Sequence, residues 1–331
     1  MDTTENIKTD DILVCIDGSY FIYYVIFGAV KEYISKNSEE ASILIKDPEE
    51  VDQSNFPDIL VSDSFKRELK KNLIKRFETV DWLLKQNFQD QIDLANDIHY
   101  LFAMDDFVSR SFRRNIYPEY KAQRSQVKKA YDVYKIKDYI MDVLIPELDI
   151  AKKFNYNFLK ANGAEGDDLI AWIMMSHDGK SETDKYFLKI LIASDKDFLQ
   201  IPGIHQYDLS GREMKPNVKV KGETIDLNPG MFLLQKIIMG DSADNIPAIG
   251  EKIGPVKAYK LASDHEKLKS FLLENQDAAK QFKLNRELID FKKIPDELQE
   301  KLKSTVDPVV YRLFESKRRV SDSIMDDLLK L

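Results

Sequence analysis

Cysteine is almost absent from these 331 residues: Cys15 stands alone, inside an apolar run. A single thiol excludes a disulfide framework and a thiolate metal site. Four histidines, His99, His177, His205 and His265, are scattered, which argues against a zinc centre. No apolar run reaches bilayer-spanning length and no signal peptide is recognisable, so the default expectation is a cytoplasmic protein with no membrane contact. Internal repeats and low-complexity tracts are missing too. Basic charge is in deficit, with 57 acidic residues against 49 basic ones and a net charge of −8. The sum alone would speak against a nucleic-acid partner, but the distribution of charge matters more than its total.

What is present is a globular composition, 43% hydrophobic and 32% charged, in a chain long enough for one large or two ordinary domains. The stretch Phe187 to Phe198, FLKILIASDKDF, organises the rest. Its short run of branched apolar residues predicts a buried strand of a parallel sheet, ended by Ser194-Asp195-Lys196-Asp197. Ile12 to Ile16 predicts a second strand, ended by Asp17-Gly18-Ser19, and Tyr100 to Met104 a third, ended by Asp105-Asp106. A polar turn explains any one of these endings. Their repetition points to one carboxyl edge of an open α/β sheet, where ligands bind. A further acidic group, Glu165, Asp167 and Asp168, precedes the apolar helical run Leu169 to Met175. N-capping and the helix dipole account for one carboxylate there, not for three.

Between these elements, Glu32 to Phe65 reads as a loop-rich connection with a short apolar patch at Ile43 to Ile45. Phe65 to Phe88 and Ile140 to Phe154 carry helical periodicity. Phe107 to Lys137 has nine basic residues against two acids and interleaved tyrosines 117, 120, 131 and 134. Such a one-signed block suits phosphates, with rings available to stack on unpaired bases. Tyr117, Tyr120, Lys121 and Arg124 fall where a helix is expected to start, with Lys121 and Arg124 on one face at i, i+3 spacing. Phe232 to Met239 predicts a helix leading into GDSADNIPAIGEKIGPVKA, whose Gly250 and Gly254 allow a backbone to approach a phosphate.

Five segments, ILVCIDGS, LFAMDD with SFRRNIYPEYKAQR, AEGDDLIAW, ASDKDF and GDSADNIPAIGEKIGPVKA, together resemble the flap endonuclease / 5′–3′ exonuclease family, nearest its T-even phage RNase H branch. They run from Ile12 to Ala258. The chain departs from cellular members in its N-terminal extension and in the long segment to Phe65. The resemblance implies an α/β fold with a mainly parallel central sheet and flanking helices over 1–228, including a basic arch or clamp at about 107–160. It implies a helical C-terminal region over 229–331 with a helix-hairpin-helix-like element at about 240–260. It also implies metal ligands at Asp17, Asp105, Glu165, Asp167 and Asp168, and at Asp195, Asp197, Asp241 and Asp244. Asp105 is preferred to Asp106 by its spacing to Arg113. Lys121 and Arg124 would hold the scissile phosphate. DNA contacts would come from Arg110, Arg113, Arg114, Tyr117, Tyr120, Lys128, Lys129, Gly250, Lys252, Gly254 and Lys257.

The implied activity is structure-specific 5′ nuclease chemistry on DNA flaps, nicks and RNA–DNA hybrids, as in primer removal, by a monomer in a bacterial host's cytoplasm. Two Mg²⁺ ions (Mn²⁺ substituting) would serve it, with K⁺ at the helix-hairpin-helix-like element. A single-strand binding protein or a sliding clamp is an expected partner, with Ile324, Leu328, Leu329 and Leu331 either as its dock or as a final helix packed on the protein's own core. The chemistry agrees: two hard ions roughly 4 Å apart activate water and stabilise a leaving oxygen, and hard ions want oxygen ligands. Two other readings stand beside this one. A non-catalytic DNA-structure binder is opposed by the presence of every family acid. A PIN-type ribonuclease is usually smaller and lacks the GDSADNIPAIGEKIG segment.

Overall fold

The computed structural model describes residues 11–36, 59–95, 97–106, 111–123, 132–176 and 186–310. Strand β1 (Asp11–Asp17) is buried from Ile12 to Ile16, as its unbroken apolar run requires, and Asp11 is buried against His99 Nε2 at 2.7 Å. It leads directly into helix α1 (Gly18–Lys36), so Glu32 to Lys36, expected as loop, is helical. The Ile43 to Ile45 patch lies outside the described residues. Helix α2 (Asp63–Leu94) starts at Ser62, whose hydroxyl accepts from Phe65 N–H, and is kinked at Phe88, where φ is −138°. Then follow β2 (Ile98–Met104), α3 (Phe112–Ile116) and α4 (Val133–Tyr139). The periodic run Ile140 to Phe154 is not one helix. A wide π turn at Ile140–Leu144 passes into α5 (Ile145–Glu147) and α6 (Ile150–Lys153), separated at Asp149 with φ 48°.

Strand β3 (Tyr156–Lys160) was not legible as a strand: it is five residues long and only Tyr156 and Leu159 are buried. Helix α7 (Gly166–Ser176) and β4 (Tyr186–Ile192) come next, then the short strands β5 (His205–Tyr207), β6 (Glu213–Met214), β7 (Asn217–Val220) and β8 (Glu223–Asp226). The sheet order is β3-β2-β1-β4-β5-β6, parallel throughout except for β6, and β7-β8 form a separate hairpin. The chain order reverses beside β1, with β2 on one side and β4 on the other. This is the topological switch point at whose carboxyl edge open α/β sheets bind ligands.

Strand alternation sends Ile12, Val14, Ile16 and Ile190 to one face, under α1 and α2, and Leu13, Cys15, Leu191 and Ala193 to the other, under α7. Helices α8 (Pro229–Met239), α9 (Pro255–Ala262), α10 (His265–Glu274) and α11 (Gln276–Ile289) follow. They have cores of their own, around Ile238, Ile253, Ala258 and Leu268, and around Tyr120, Ile237, Ile246 and Leu288. The last described helix, 296–310, returns to the sheet, burying Leu298, Leu302, Val306 and Val310 in the α7 core. No described helix is long and apolar enough to cross a membrane.

Candidate metal centre

Three strand ends and one helix start converge at the switch point. Asp17 closes β1 and its Oδ1 accepts Tyr20 N–H at 3.0 Å, which ties it to the first turn of α1. Asp105 follows β2; its Oδ1 accepts Gly166 N–H at 2.6 Å and its Oδ2 accepts the Ser19 hydroxyl. The neighbouring Asp106 turns away, accepting Gly163 N–H at 3.0 Å and pairing with Lys160 at 3.3 Å. Gly166 allows the close approach, since a Cβ there would sit 2.9 Å from Asp105 Oδ1. Asp195, past the end of β4, caps a 3-10 turn (Lys196–Gln200) by accepting Asp197 N–H at 2.8 Å.

Their electrostatics show how closely these groups face one another. Burial pushes the Asp17 carboxyl up to about 7, and the charges of Asp105 and Asp195 add to the rise against the Tyr20 N–H. Burial also lifts Asp167 well above the carboxylate range, with Asp195, Asp17 and Glu165 adding and Lys121 opposing. Burial presses Glu165 upward as well, yet Lys121 and Arg113 outweigh it and hold the group below its ordinary value. Like charges assembled this way call for a cation.

A second acidic group lies alongside. Carboxylate oxygens of Asp197, Asp241 and Asp244 all fall within 4.8 Å of one another. Asp241 and Asp244 flank the turn after α8, where Asp241 accepts Ala243 N–H at 2.8 Å. The donor set is all oxygen, which fits a hard divalent ion and not a soft one. Two lysines serve the region. Lys121 Nζ is 2.8 Å from Glu165 and 4.0 Å from Asp244, bridging the two groups. Lys236, on α8, contacts Asp197 and lies 2.8 Å from Asp241; its charge holds Asp241 below its ordinary value against the effect of burial. The sequence reading missed Lys236. Its signal was a lone lysine in the apolar run FLLQKIIM.

Several expected site residues take other positions. Asp168 is 1% exposed, and its carboxylate is met by Arg113 Nη1 at 3.1 Å and Nη2 at 2.8 Å, a charge-neutralised pair. Arg113, read as a DNA contact, is itself 3% exposed and committed to Asp168, Glu165 and the Leu288 carbonyl. Tyr120, read as a stacking platform, is buried against Ile237, Ile246 and Leu288, and its hydroxyl donates to Glu165 at 3.2 Å. Half-buried Tyr117 packs on the same cluster. Lys121 starts no helix: it adopts φ 56°, a left-handed turn that sends its backbone N–H to the Asp244 carbonyl at 3.0 Å. Arg114 is exposed. Arg110, Arg124, Lys128, Lys129 and the 324–331 segment lie outside the described residues.

In the C-terminal part, Gly254 is the N-cap of α9, with exposed Lys252 and Lys257 on either side. Open space surrounds the position a Cβ would take on Gly254. At Gly250 a Cβ would make ordinary contact with Ile253 and Phe271, both at 3.5 Å, so the close backbone approach is available at Gly254.

Comparison with known proteins gives this geometry a context. Residues 77–224 match the 5'-3' exonuclease, N-terminal resolvase-like domain. The chain is 29% identical over 190 residues to DNA polymerase I of Rhizobium leguminosarum, covering 56% of this chain and 17% of that protein. It is 29% identical over 198 residues to the 5'-3' exonuclease of Buchnera aphidicola from Acyrthosiphon pisum, covering 55% of this chain and 63% of that one. The chain thus matches only part of the length of these curated relatives. Among solved structures, a bacteriophage T5 protein co-crystallised with metal ions aligns with a TM-score of 0.51 at 16% identity, over 88% of this chain and 97% of that one. A T5 flap endonuclease pseudo-enzyme–product complex with DNA and metal ions aligns with a TM-score of 0.51 at 14% identity, over 92% and 99%. At these identities the structures speak for a shared fold.

Proposed function

We propose, for a chain related to the 5′–3′ exonucleases through residues 77–224, that it is a metal-dependent 5′ nuclease. The observation that carries this reading is the meeting of acids from three strand ends, one helix start and the turn after α8 at a single sheet edge. Asp17, Asp105, Asp167 and Asp195 would hold one divalent ion, and Asp197, Asp241 and Asp244 the other. When bound, two Mg²⁺ or Mn²⁺ ions would supply an activated water and stabilise charge on the reacting phosphate.

The chain's own residues do the rest. Lys121, anchored to Glu165 by an ion pair, presents a cation between the acid groups where a scissile phosphate would sit. Glu165 and Arg113 hold that lysine and the α7 start in place. The open start of α9 at Gly254 would offer backbone N–H groups to a duplex phosphate, with Lys252 and Lys257 beside it and K⁺ as the bridge. The basic residues Arg110, Arg114, Arg124, Lys128 and Lys129 would receive the single-stranded 5′ end.

The substrates in this reading are DNA carrying a 5′ end or flap and the RNA of RNA–DNA hybrids, in primer removal inside a bacterial cytoplasm. The protein would act as a monomer beside a single-strand binding protein or a clamp. The division near residue 228 into a nuclease part and a duplex-gripping part belongs to the same proposal, with the last described helix, 296–310, returning to the nuclease part. The test is to incubate the protein with 5′-flap, nicked, 3′-flap, single-stranded and RNA–DNA substrates, in Mg²⁺ and in EDTA. Cleavage that survives EDTA, or that prefers 3′ flaps, overturns it.

A further inference from the structure

Helix α11 supplies no acid to the metal centre, yet every acid-bearing strip outside β1 and β2 is tied to it. The last carbonyls of a helix have no partner within the helix. Asp290 N–H reaches back to Arg286 at 3.1 Å, while the Leu288 and Ile289 carbonyls point out of the helix end. Two side chains from the sheet half capture them. Arg113 Nε donates to Leu288 at 2.8 Å, and Gln200 Nε2 donates to Ile289 at 3.1 Å.

Each of these side chains has its other end in the site. Arg113 holds Glu165 and Asp168 at the α7 start. Gln200 closes the 3-10 turn that carries Asp197, donating to the Asp197 carbonyl at 3.0 Å, and its Oε1 accepts Phe291 N–H at 3.1 Å. The Gln200 carboxamide is therefore satisfied on both donor and acceptor sides while 8% exposed. One helical turn earlier, buried Asn285 donates to the Ile237 carbonyl at 2.9 Å and the Pro247 carbonyl at 2.8 Å. Those bonds fix the end of α8 and the far side of the loop that carries Asp241 and Asp244.

We infer that α11 is the common reference for the second metal group, and that Gln200 and Asn285 are positioning residues for it. The inference rests on the nuclease reading above. Asp197 reaches the group from the β4 end, and Asp241 and Asp244 from the α8 end. Their oxygens can share an ion only if the two strips keep a fixed separation. Gln200 sets one strip against the end of α11 and Asn285 sets the other against the turn before it. Lys236 also joins the two strips across the ion site, but it is a cation and competes with an ion for the same carboxylates.

The test titrates Mn²⁺ by electron paramagnetic resonance into the full chain, without nucleic acid, for the parent and for Gln200→Glu, Gln200→Met and Asn285→Asp. Groups that orient metal ligands typically change affinity by about 10–100-fold. Acting here through backbone carbonyls, each amide is expected to weaken one class of Mn²⁺ site about 3- to 10-fold. Duplex affinity in EDTA should stay within about twofold of the parent. Leu73→Ala, in the separate core under α1 and α2 on the sheet face away from α7, is the control for mere destabilisation: it should lower Tm and leave Mn²⁺ binding as in the parent. Parent-like Mn²⁺ affinity in whichever of the three amide variants fold overturns the inference, as does an equal loss in Leu73→Ala. A parent chain that binds no Mn²⁺ would instead overturn the nuclease reading itself.

Discussion

Replacing Asp17 by asparagine should make the metal-free protein more stable at pH 8. The amide keeps the acceptor for Tyr20 N–H, so the local turn survives, while the charge facing Asp105 and Asp195 is removed. In the parent the carboxyl rises from its ordinary 3.8 to about 7. At about 1.36 kcal/mol per pH unit that difference corresponds to about 4 kcal/mol, an upper bound because Asp17 keeps some contact with solvent. The sign follows from proton binding. Below the unfolded value the group is protonated in both states and the amide is its equivalent, so parent and variant should match. Between roughly pH 4 and 7 the unfolded chain releases a proton that the folded chain retains, so parent stability falls as pH rises. Above 7 the full penalty is present. Thermal unfolding in EDTA at pH 4, 6 and 8 should therefore give nearly coincident curves at the lowest pH, just above the ordinary value of 3.8, and a gain of several degrees for Asp17→Asn at the highest. Adding Mn²⁺ at pH 8 should raise the parent's Tm more than the variant's. A variant no more stable than the parent at pH 8, or a gain that persists undiminished at pH 4, would refute the reasoning.

Other substitutions probe other parts of the site. Lys121→Ala should lower single-turnover cleavage of a 5′-flap substrate by about 100-fold or more while changing its Kd little, because a cation aimed at the reacting phosphate acts on the transition state. A severalfold loss of affinity with parent-like turnover at saturation would assign Lys121 to steering alone. Arg113→Met should lower stability by about 3–5 kcal/mol in denaturant unfolding, since it leaves Asp168 buried without its counter-charge while Glu165 keeps only Lys121. Unchanged stability with weakened DNA binding would return Arg113 to the DNA-contacting surface. Lys252→Ala and Lys257→Ala should each reduce the salt dependence of duplex binding by about one unit or less. Parallel salt titrations for parent and variants would remove these lysines from the grip.

The strands that carry the site were readable in the chain because their signal is local. A buried parallel strand needs an unbroken apolar run, and an acid ending such a run lands on the carboxyl edge wherever the strand sits in the sheet. Asp17, Asp195 and the pair Asp105-Asp106 were placed on that edge by this argument, and the family resemblance chose Asp105 within the pair. Strand β3 escaped because it is short, only Tyr156 and Leu159 are buried, and Asn157 breaks its apolar character. The helix expected at Lys121 failed for a different reason. Its φ of 56° is set by the bond from its N–H to the Asp244 carbonyl, a residue more than a hundred positions away.

Charge type could be read from the chain, but charge partner could not. Arg113 and Tyr120 share a basic, aromatic block with exposed Arg114, and nothing in their spacing separates buried from exposed members. Only packing against Leu288, Ile289 and Ile237 turns the first two inward, where their polar atoms must be satisfied by Glu165 and Asp168. Gln200, Lys236 and Asn285 look like ordinary polar residues in helical segments. They acquire roles because each must find partners once its helix is buried, and those partners come from segments 38 to 91 positions away, or from the opposing acids of the site. Sequence by itself determined which carboxylates reach the sheet edge, since strand geometry is local. Tertiary structure decided which of them face one another and which cations hold them there, since those contacts exist only between segments that folding brings together.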